Sequence, residues 1–227
     1  MMTRVDDSPA THGGRLLRET VYEQLRADMI SCTLAPGTEL REAELASRFD
    51  MSKSPVRDAL MRLEREGLVI TLPRQGYRVA PVSLADVLDM FHLRAALERA
   101  CVERIVLNAS DEQLRSLDEF RHFDAAVWDG GFIAFNRAFH RRIAELGGNA
   151  RMRDQLNDLI DLLERAVQVS VASINKGDPQ ALVTEHSEII TALQTRALKR
   201  AQRLAEQHIT AAGKRVSKAI SKSLIAA

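Results

Sequence analysis

The chain has 227 residues, enough for one large core or two modest ones, and its scarce aromatics (4%) beside abundant Ala, Leu, Arg and Glu favour helices over sheets. Cys32 and Cys101 lie far apart and outside any C-x-x-C spacing, which excludes a disulfide framework. The polar start MMTRVDDSPATHGG excludes a signal peptide, and no apolar run approaches the roughly 18 residues of a membrane span, so a cytoplasmic, membrane-free protein is expected. Net charge is +1, but residues 81–195 carry 12 Lys/Arg against 18 Asp/Glu and residues 196–227 carry eight against one; the basic tail reads either as a contact for an acidic partner or as a solvated helix face over the acidic middle.

Residues 1–14 read as disordered, and a helix is expected from Leu16, with Leu17, Val21, Leu25, Met29 and Ile30 near one face. The turn signal Leu34-Ala35-Pro36-Gly37 follows. A short helix at about 41–49 turns Leu45, Ala46 and Phe49 inward, and Asp50-Met51 links it tightly to the next. That third helix opens on Ser52-Lys53-Ser54, with Ser54 expected as N-cap and Pro55 in the first helical position. Val56, Ala59, Leu60 and Leu63 then form one buried stripe, and Gly67 closes it. Extended pieces at 68–72 and 76–79 form a hairpin. Pro81 marks a domain boundary, giving a domain of residues 15–80 and another of 81–227. The second is expected to be an all-α bundle of six helices, at 83–107, 110–128, 131–147, 149–174, 178–195 and 197–224, whose cavity would be the natural ligand site. The break near Arg196 has neither Gly nor Pro.

Two helices on a tight link followed by a hairpin describe a winged helix-turn-helix, whose second helix enters the DNA major groove by its N-terminal end. Free N–H groups and the positive end of the helix dipole favour phosphate there. Ser52 and Ser54 can donate to phosphate oxygens, and Lys53 can neutralise a phosphate or reach a base. Arg57, one turn inside, can fork onto guanine O6/N7, or can instead pair with Asp58 or Glu42. Gly76 would let the wing backbone approach the minor groove, with Arg74 and Arg78 beside it.

The run LAPGTELREAELASRFDMSKSPVRDALMRLEREGLVITLPRQGYRV, residues 34–79, closely resembles the N-terminal domain of GntR-type bacterial transcription regulators. Lys53, Ser54 and Asp58 stand where the family usually has Arg, Thr and Glu, and Ala43 where some branches carry a further DNA-reading Arg. The resemblance implies operator contacts from Ser52, Lys53, Ser54, Pro55, Arg57, Arg74 and Gly76. It also implies a homodimer on double-stranded operator DNA of near-palindromic sequence.

Three of the six histidines, His140 (NRAFH), His186 (TEHSEII) and His208 (EQHI), lie on different expected helices, and three imidazoles can meet to hold a divalent metal. Asn136 stands one turn before His140. Residues 83–215 resemble the FCD ligand-binding domain that accompanies many GntR-type regulators (the FadR subfamily), in its shorter six-helix, VanR-like form. That resemblance implies that His140, His186 and His208 hold a transition metal, zinc or nickel, which helps to bind a small carboxylate effector. Asn136 replaces the family's usual Asp, so the fourth ligand brings no charge and the metal is held more weakly. Arg94 could clamp an effector carboxylate, or pair with Glu98 on its own helix. The implied function is a ligand-responsive, sequence-specific transcription regulator that controls metabolism of a small organic acid. The alternative is a metal-dependent hydrolase or isomerase built on the bundle, since an open metal position suits activated water, although no H-E-x-x-H is present.

Overall fold

The computed structural model describes residues 9–171 and 179–225, with side chains over 19–168 and 179–221. It divides into two compact units, Met1–Val82 and Ser83–Ala227.

In the first unit, helices α1 (Pro9–Ile30), α2 (Glu42–Arg48) and α3 (Lys53–Arg65) are joined by strands β1 (Glu39–Leu40), β2 (Val69–Leu72) and β3 (Gly76–Val79). Helix α1 begins ahead of the expected Leu16, so residues 9–14 are helical rather than disordered; residues 1–8 lie outside the described residues. Val21, Leu25 and Met29 of α1 meet the stripe Val56, Ala59, Leu60 and Leu63 of α3, all buried. A polar clamp backs this packing: the Tyr22 hydroxyl donates to Glu66 at 2.7 Å and the Arg62 guanidinium lies 3.5 Å from the Tyr22 ring centroid. Burial and the Glu66 carboxylate push the Tyr22 hydroxyl up to about 12.

Helix α3 starts two residues earlier than expected. Ser52, not Ser54, is its N-cap, and it makes no side-chain cap bond. Pro55 therefore falls inside the first turn, where a missing N–H forfeits no intrahelical bond. At the other end Leu68 N–H reaches Leu63 O at 2.9 Å and Gly67 N–H reaches Glu64 O at 3.0 Å, a Schellman closure with Gly67 at φ +74°. The hairpin gains a third strand that the sequence pattern did not signal: β1 pairs antiparallel with β3, giving the order β1-β3-β2. Only glycine fits at 76, because φ is +103° and a Cβ would stand 2.7 Å from the Leu40 carbonyl oxygen. Pro73 and Arg74 make the wing turn, with Arg74 at φ 64°.

The second unit has α4 (Leu84–Asn108), a short α5 (Asp111–Arg115) running into a 3₁₀ turn at Ser116–Arg121, then α6 (Gly131–Leu146), α7 (Ala150–Val171), α8 (Pro179–Gln194) and α9 (Leu198–Ile225). Among the described residues these are the six expected helices. The last residues assigned to the fourth, 172–174, and the break at Gly177-Asp178 lie outside the described residues. The second helix departs from expectation, because residues 122–128 are not helical. Phe120, Phe123 and Trp128 turn onto Phe135 with ring centroids 5.2–5.8 Å away, and Asp124 Oδ1 accepts from Ala126 N–H. Packing of one buried and two half-buried aromatics outweighs continuing one helix. The break after α8 is made by Arg196 in the left-handed region (φ 52°). Its guanidinium donates to Val106 O, Ala109 O and Asp111, which satisfies the open carbonyls at the end of α4. Helix α4 packs one face against α6, α7, α8 and α9, and so brings residues of the first bundle helix against the histidine-bearing ones.

Candidate nucleic-acid interface and metal centre

At the head of α3, Ser52, Lys53, Ser54 and Arg57 are exposed, and Pro55 is half-buried. Ser52 leaves the first-turn N–H groups uncapped, so the helix offers its positive end outward. Arg57 pairs with Glu42: Nε lies 2.9 Å from Oε1 and Nη2 lies 2.7 Å from Oε2. The Tyr77 hydroxyl approaches the same carboxylate at 3.4 Å. Glu42 thereby joins α2, α3 and the wing strand, and the Arg57 hydrogen bonds hold its carboxyl below the usual range. Arg74 is exposed on the wing, whereas Gly76 is required by its own fold, as the Leu40 contact shows.

In the bundle, His140 (α6), His186 (α8) and His208 (α9) are all buried, and one donor atom from each lies within 4.8 Å of the others. His140 Nδ1 is 2.9 Å from Glu98 Oε2 and His208 Nδ1 is 2.5 Å from Glu185 Oε2. Carboxylates that only accept require Nδ1–H on both rings, and this leaves two bare Nε2 lone pairs, which face each other at 3.3 Å. A shared proton is disfavoured, since burial holds the His140 pKa well below its ordinary value. A cation between them resolves the conflict: two nitrogens about 2.0–2.1 Å from a tetrahedral Zn²⁺ are about 3.3–3.4 Å apart. His186 has neither ring nitrogen hydrogen-bonded although it is fully buried, and its ring stacks on Phe139 at 4.0 Å. Orphaned buried nitrogens beside two opposed lone pairs fit a transition metal.

A cavity of about 340 Å³ adjoins this cluster. Asn136, His140 and His208 line it, as do Arg94, Arg137 and Arg215; His186 is not among the lining residues. Arg94 is buried, and its Nε donates to Glu98 Oε1 at 2.8 Å, so it pairs within the fold and also lines the cavity. Burial opposes the charge on Glu98, but His140 and Arg94 outweigh it and hold the carboxyl low. The His208 bond likewise holds Glu185 down.

Sequence reasoning placed the three histidines but missed what grips them. Glu98 and His140 are 42 residues apart, a separation no local pattern reports. Arg215 follows His208 by two helical turns on one face of α9, a signal that was available. Of the basic tail, Arg196 and Arg215 pair with Asp111 and Glu185 of the acidic middle, while Lys199, Arg200, Arg203, Lys214 and Lys218 are exposed.

Comparison with known proteins agrees with this architecture. Residues 17–79 match the family described as bacterial regulatory proteins, gntR family, and residues 89–211 match the FCD domain. The HTH-type transcriptional repressor RspR of Escherichia coli K12 is 27% identical over 197 residues, covering 85% of this chain and 86% of that protein. The HTH-type transcriptional repressor GlaR of the same organism is 29% identical over 206 residues, covering 83% and 90%. Among solved structures, E. coli McbR/YncC superposes with a TM-score of 0.74 at 20% identity, over 89% of this chain and 97% of that one. A GntR-family regulator from Pseudomonas syringae pv. tomato DC3000 gives 0.56 at 24% identity, over 96% and 90%. These relatives are regulators rather than enzymes, which sets aside the hydrolase or isomerase alternative, and no described helix is long and apolar enough to cross a membrane. The chain belongs to the gntR family of bacterial regulatory proteins, with an FCD domain as its second unit, and is a ligand-responsive DNA-binding transcription regulator.

Proposed function

We propose that this regulator reads a near-palindromic operator as a cytoplasmic homodimer and answers to a small carboxylate held beside a metal in the bundle. The observation that carries the DNA part is the exposed head of α3, where uncapped N–H groups, Ser52, Lys53, Ser54 and Arg57 are presented together. Lys53 and the two serines would meet phosphates, Arg57 would read guanine, and Arg74 would reach from the wing. Exposed Leu88, Leu93 and Leu107 on α4 support pairing with a second copy.

For the ligand, Arg94, Arg137 and Arg215 line the cavity from three helices against one lining carboxylate, Glu164, which pairs with Arg137 at 2.7 Å; this excess of guanidinium favours an anion and suits a carboxylate. His140, His186 and His208 would hold zinc or nickel, with Asn136 offering a neutral amide oxygen. The metal would supply a Lewis-acidic site for the effector's oxygen. These features support control of genes for metabolism of a small organic acid. The test has two arms. Selection of duplexes from a random pool by the full chain should yield one palindromic consensus; recovery of unrelated sequences overturns operator reading. His140→Ala and His186→Ala should lower zinc content by elemental analysis after loading and dialysis; equal stoichiometry in the variants and the parent removes the metal site.

A further inference from the structure

Six side chains form one chain through the bundle. Arg94 Nε meets Glu98 Oε1 at 2.8 Å and Glu98 Oε2 meets His140 Nδ1 at 2.9 Å. His140 Nε2 faces His208 Nε2 at 3.3 Å. His208 Nδ1 meets Glu185 Oε2 at 2.5 Å, and Glu185 Oε1 lies 3.7 Å from Arg215 Nη1. In both halves an arginine faces one carboxylate oxygen and an imidazole takes the other, by a hydrogen bond from Arg94 in the inner half and by an ion pair beyond hydrogen-bond reach from Arg215 in the outer. His186 has no such partner.

We infer that Glu98 and Glu185 are positioning residues that lock His140 and His208 as Nδ1–H tautomers, and that Arg94 and Arg215 decide which carboxylate oxygen each ring receives. The consequence for a metal rests on the proposed reading of the histidine cluster; the tautomer assignment does not. Two ligands are thus preset with Nε2 bare, while His186, which packs against Phe139 and Phe135 and has no hydrogen bond to its ring nitrogens, is the ligand free to adjust. The two halves differ in stiffness. The Arg94–Glu98 side chains are 8% and 3% exposed, and the Arg215–Glu185 side chains are 43% and 36% exposed. The inner half is therefore the more exacting one.

The amide isostere exposes the logic. Glu98→Gln leaves one acceptor oxygen for two claimants, and the charged guanidinium is the stronger. The amide NH₂ then turns to His140 Nδ1, which must present a lone pair, so the ring takes the Nε2–H tautomer and loses its ligand atom. Removing the arginine as well, in Arg94→Met/Glu98→Gln, frees the oxygen to return to His140.

Long-range ¹H–¹⁵N correlation spectra of the histidine rings in the metal-free full chain at neutral pH read this directly. The parent should show Nδ1–H on His140 and His208. In Glu98→Gln, His140 alone should switch, and zinc affinity measured against a chromophoric chelator should fall by about ten- to a hundredfold. The double variant should restore Nδ1–H and recover affinity towards the parent. If Glu98→Gln does not fold, Glu185→Gln and Arg215→Met/Glu185→Gln make the same comparison at the half-exposed relay, with His208 as reporter and a smaller loss. An unswitched ring in the single variants, or no recovery in the doubles, overturns the relay. A switched ring in a protein whose parent takes up no zinc keeps the relay and refutes the metal reading.

Discussion

Arg57 gives the sharpest test of the DNA-facing helix. Its guanidinium commits Nε and one side of Nη2 to Glu42, and this is the inner edge of the fork. The outer edge, Nη1 and the second Nη2 hydrogen, is a complete bidentate donor pair aimed away from the ion pair. Glu42 thus presets the arginine and leaves the outer edge for the proposed guanine contact. On the proposed reading Arg57→Ala removes one bidentate guanine contact per half-site, so discrimination at that base pair should fall by about 5- to 150-fold, compounded if two half-sites are read by a dimer. Arg57→Lys keeps the charge but not the fork, so affinity for a scrambled duplex should survive while discrimination falls. Fold should not suffer, because the side chain is 57% exposed. Fluorescence anisotropy with the selected operator and a scrambled control, at fixed salt, measures both quantities. An Arg57→Ala protein with an unaltered operator-to-scramble ratio and a normal circular dichroism spectrum refutes the argument.

Asn136→Asp restores a charged ligand beside His140, so zinc affinity should rise; an unchanged value by chelator competition places Asn136 outside the coordination sphere. His140 titrates near 6.5 when unfolded and is held at about 4 by burial in the fold, so between these values the unfolded chain binds more protons. The metal-free protein should therefore be most stable above pH 6.5 and lose melting temperature as pH falls towards 4; a flat profile contradicts a neutral buried imidazole. Gly76→Ala puts a Cβ into the Leu40 carbonyl at φ +103°, at a conformational cost of about 1–2 kcal/mol before the clash. The first melting transition should drop by several degrees in differential scanning calorimetry, and no drop shows that the wing tolerates a side chain there.

Helix placement was legible because burial follows the 3.6-residue period: Val56, Ala59, Leu60 and Leu63 are buried as the pattern required. Even the break at Arg196 could be placed, although its cause, a guanidinium satisfying carbonyls some 90 residues away, could not. Strand β1 was hidden because two residues carry no alternation, and residues 122–128 were misjudged because helix propensity there yields to aromatic packing. The start of α3 slipped because Ser52 and Ser54 are equally good caps in isolation. The histidine types and spacing were legible; their carboxylate partners were not, since Glu98–His140 and Glu185–His208 depend on helix packing alone.

Arg57 and Arg94 each had two sequence readings, a ligand contact or an ion pair within the fold, and in both the ion pair exists. The two readings are not exclusive, for physical reasons. Guanidinium carries five donors in one plane, and a carboxylate occupies at most one edge. A buried or half-buried acid on that edge reduces the rotamer freedom of a long side chain, which otherwise costs up to about 2 kcal/mol to fix on binding. An acid whose own carboxyl is held low, as Glu42 and Glu98 are, stays ionised and keeps that grip at neutral pH. The intramolecular pair then makes the remaining edge a better recognition element than a free arginine would be. Glu42→Gln should therefore weaken operator discrimination although Glu42 itself need touch no DNA, and improved discrimination in that variant would show instead that the pair competes with the base.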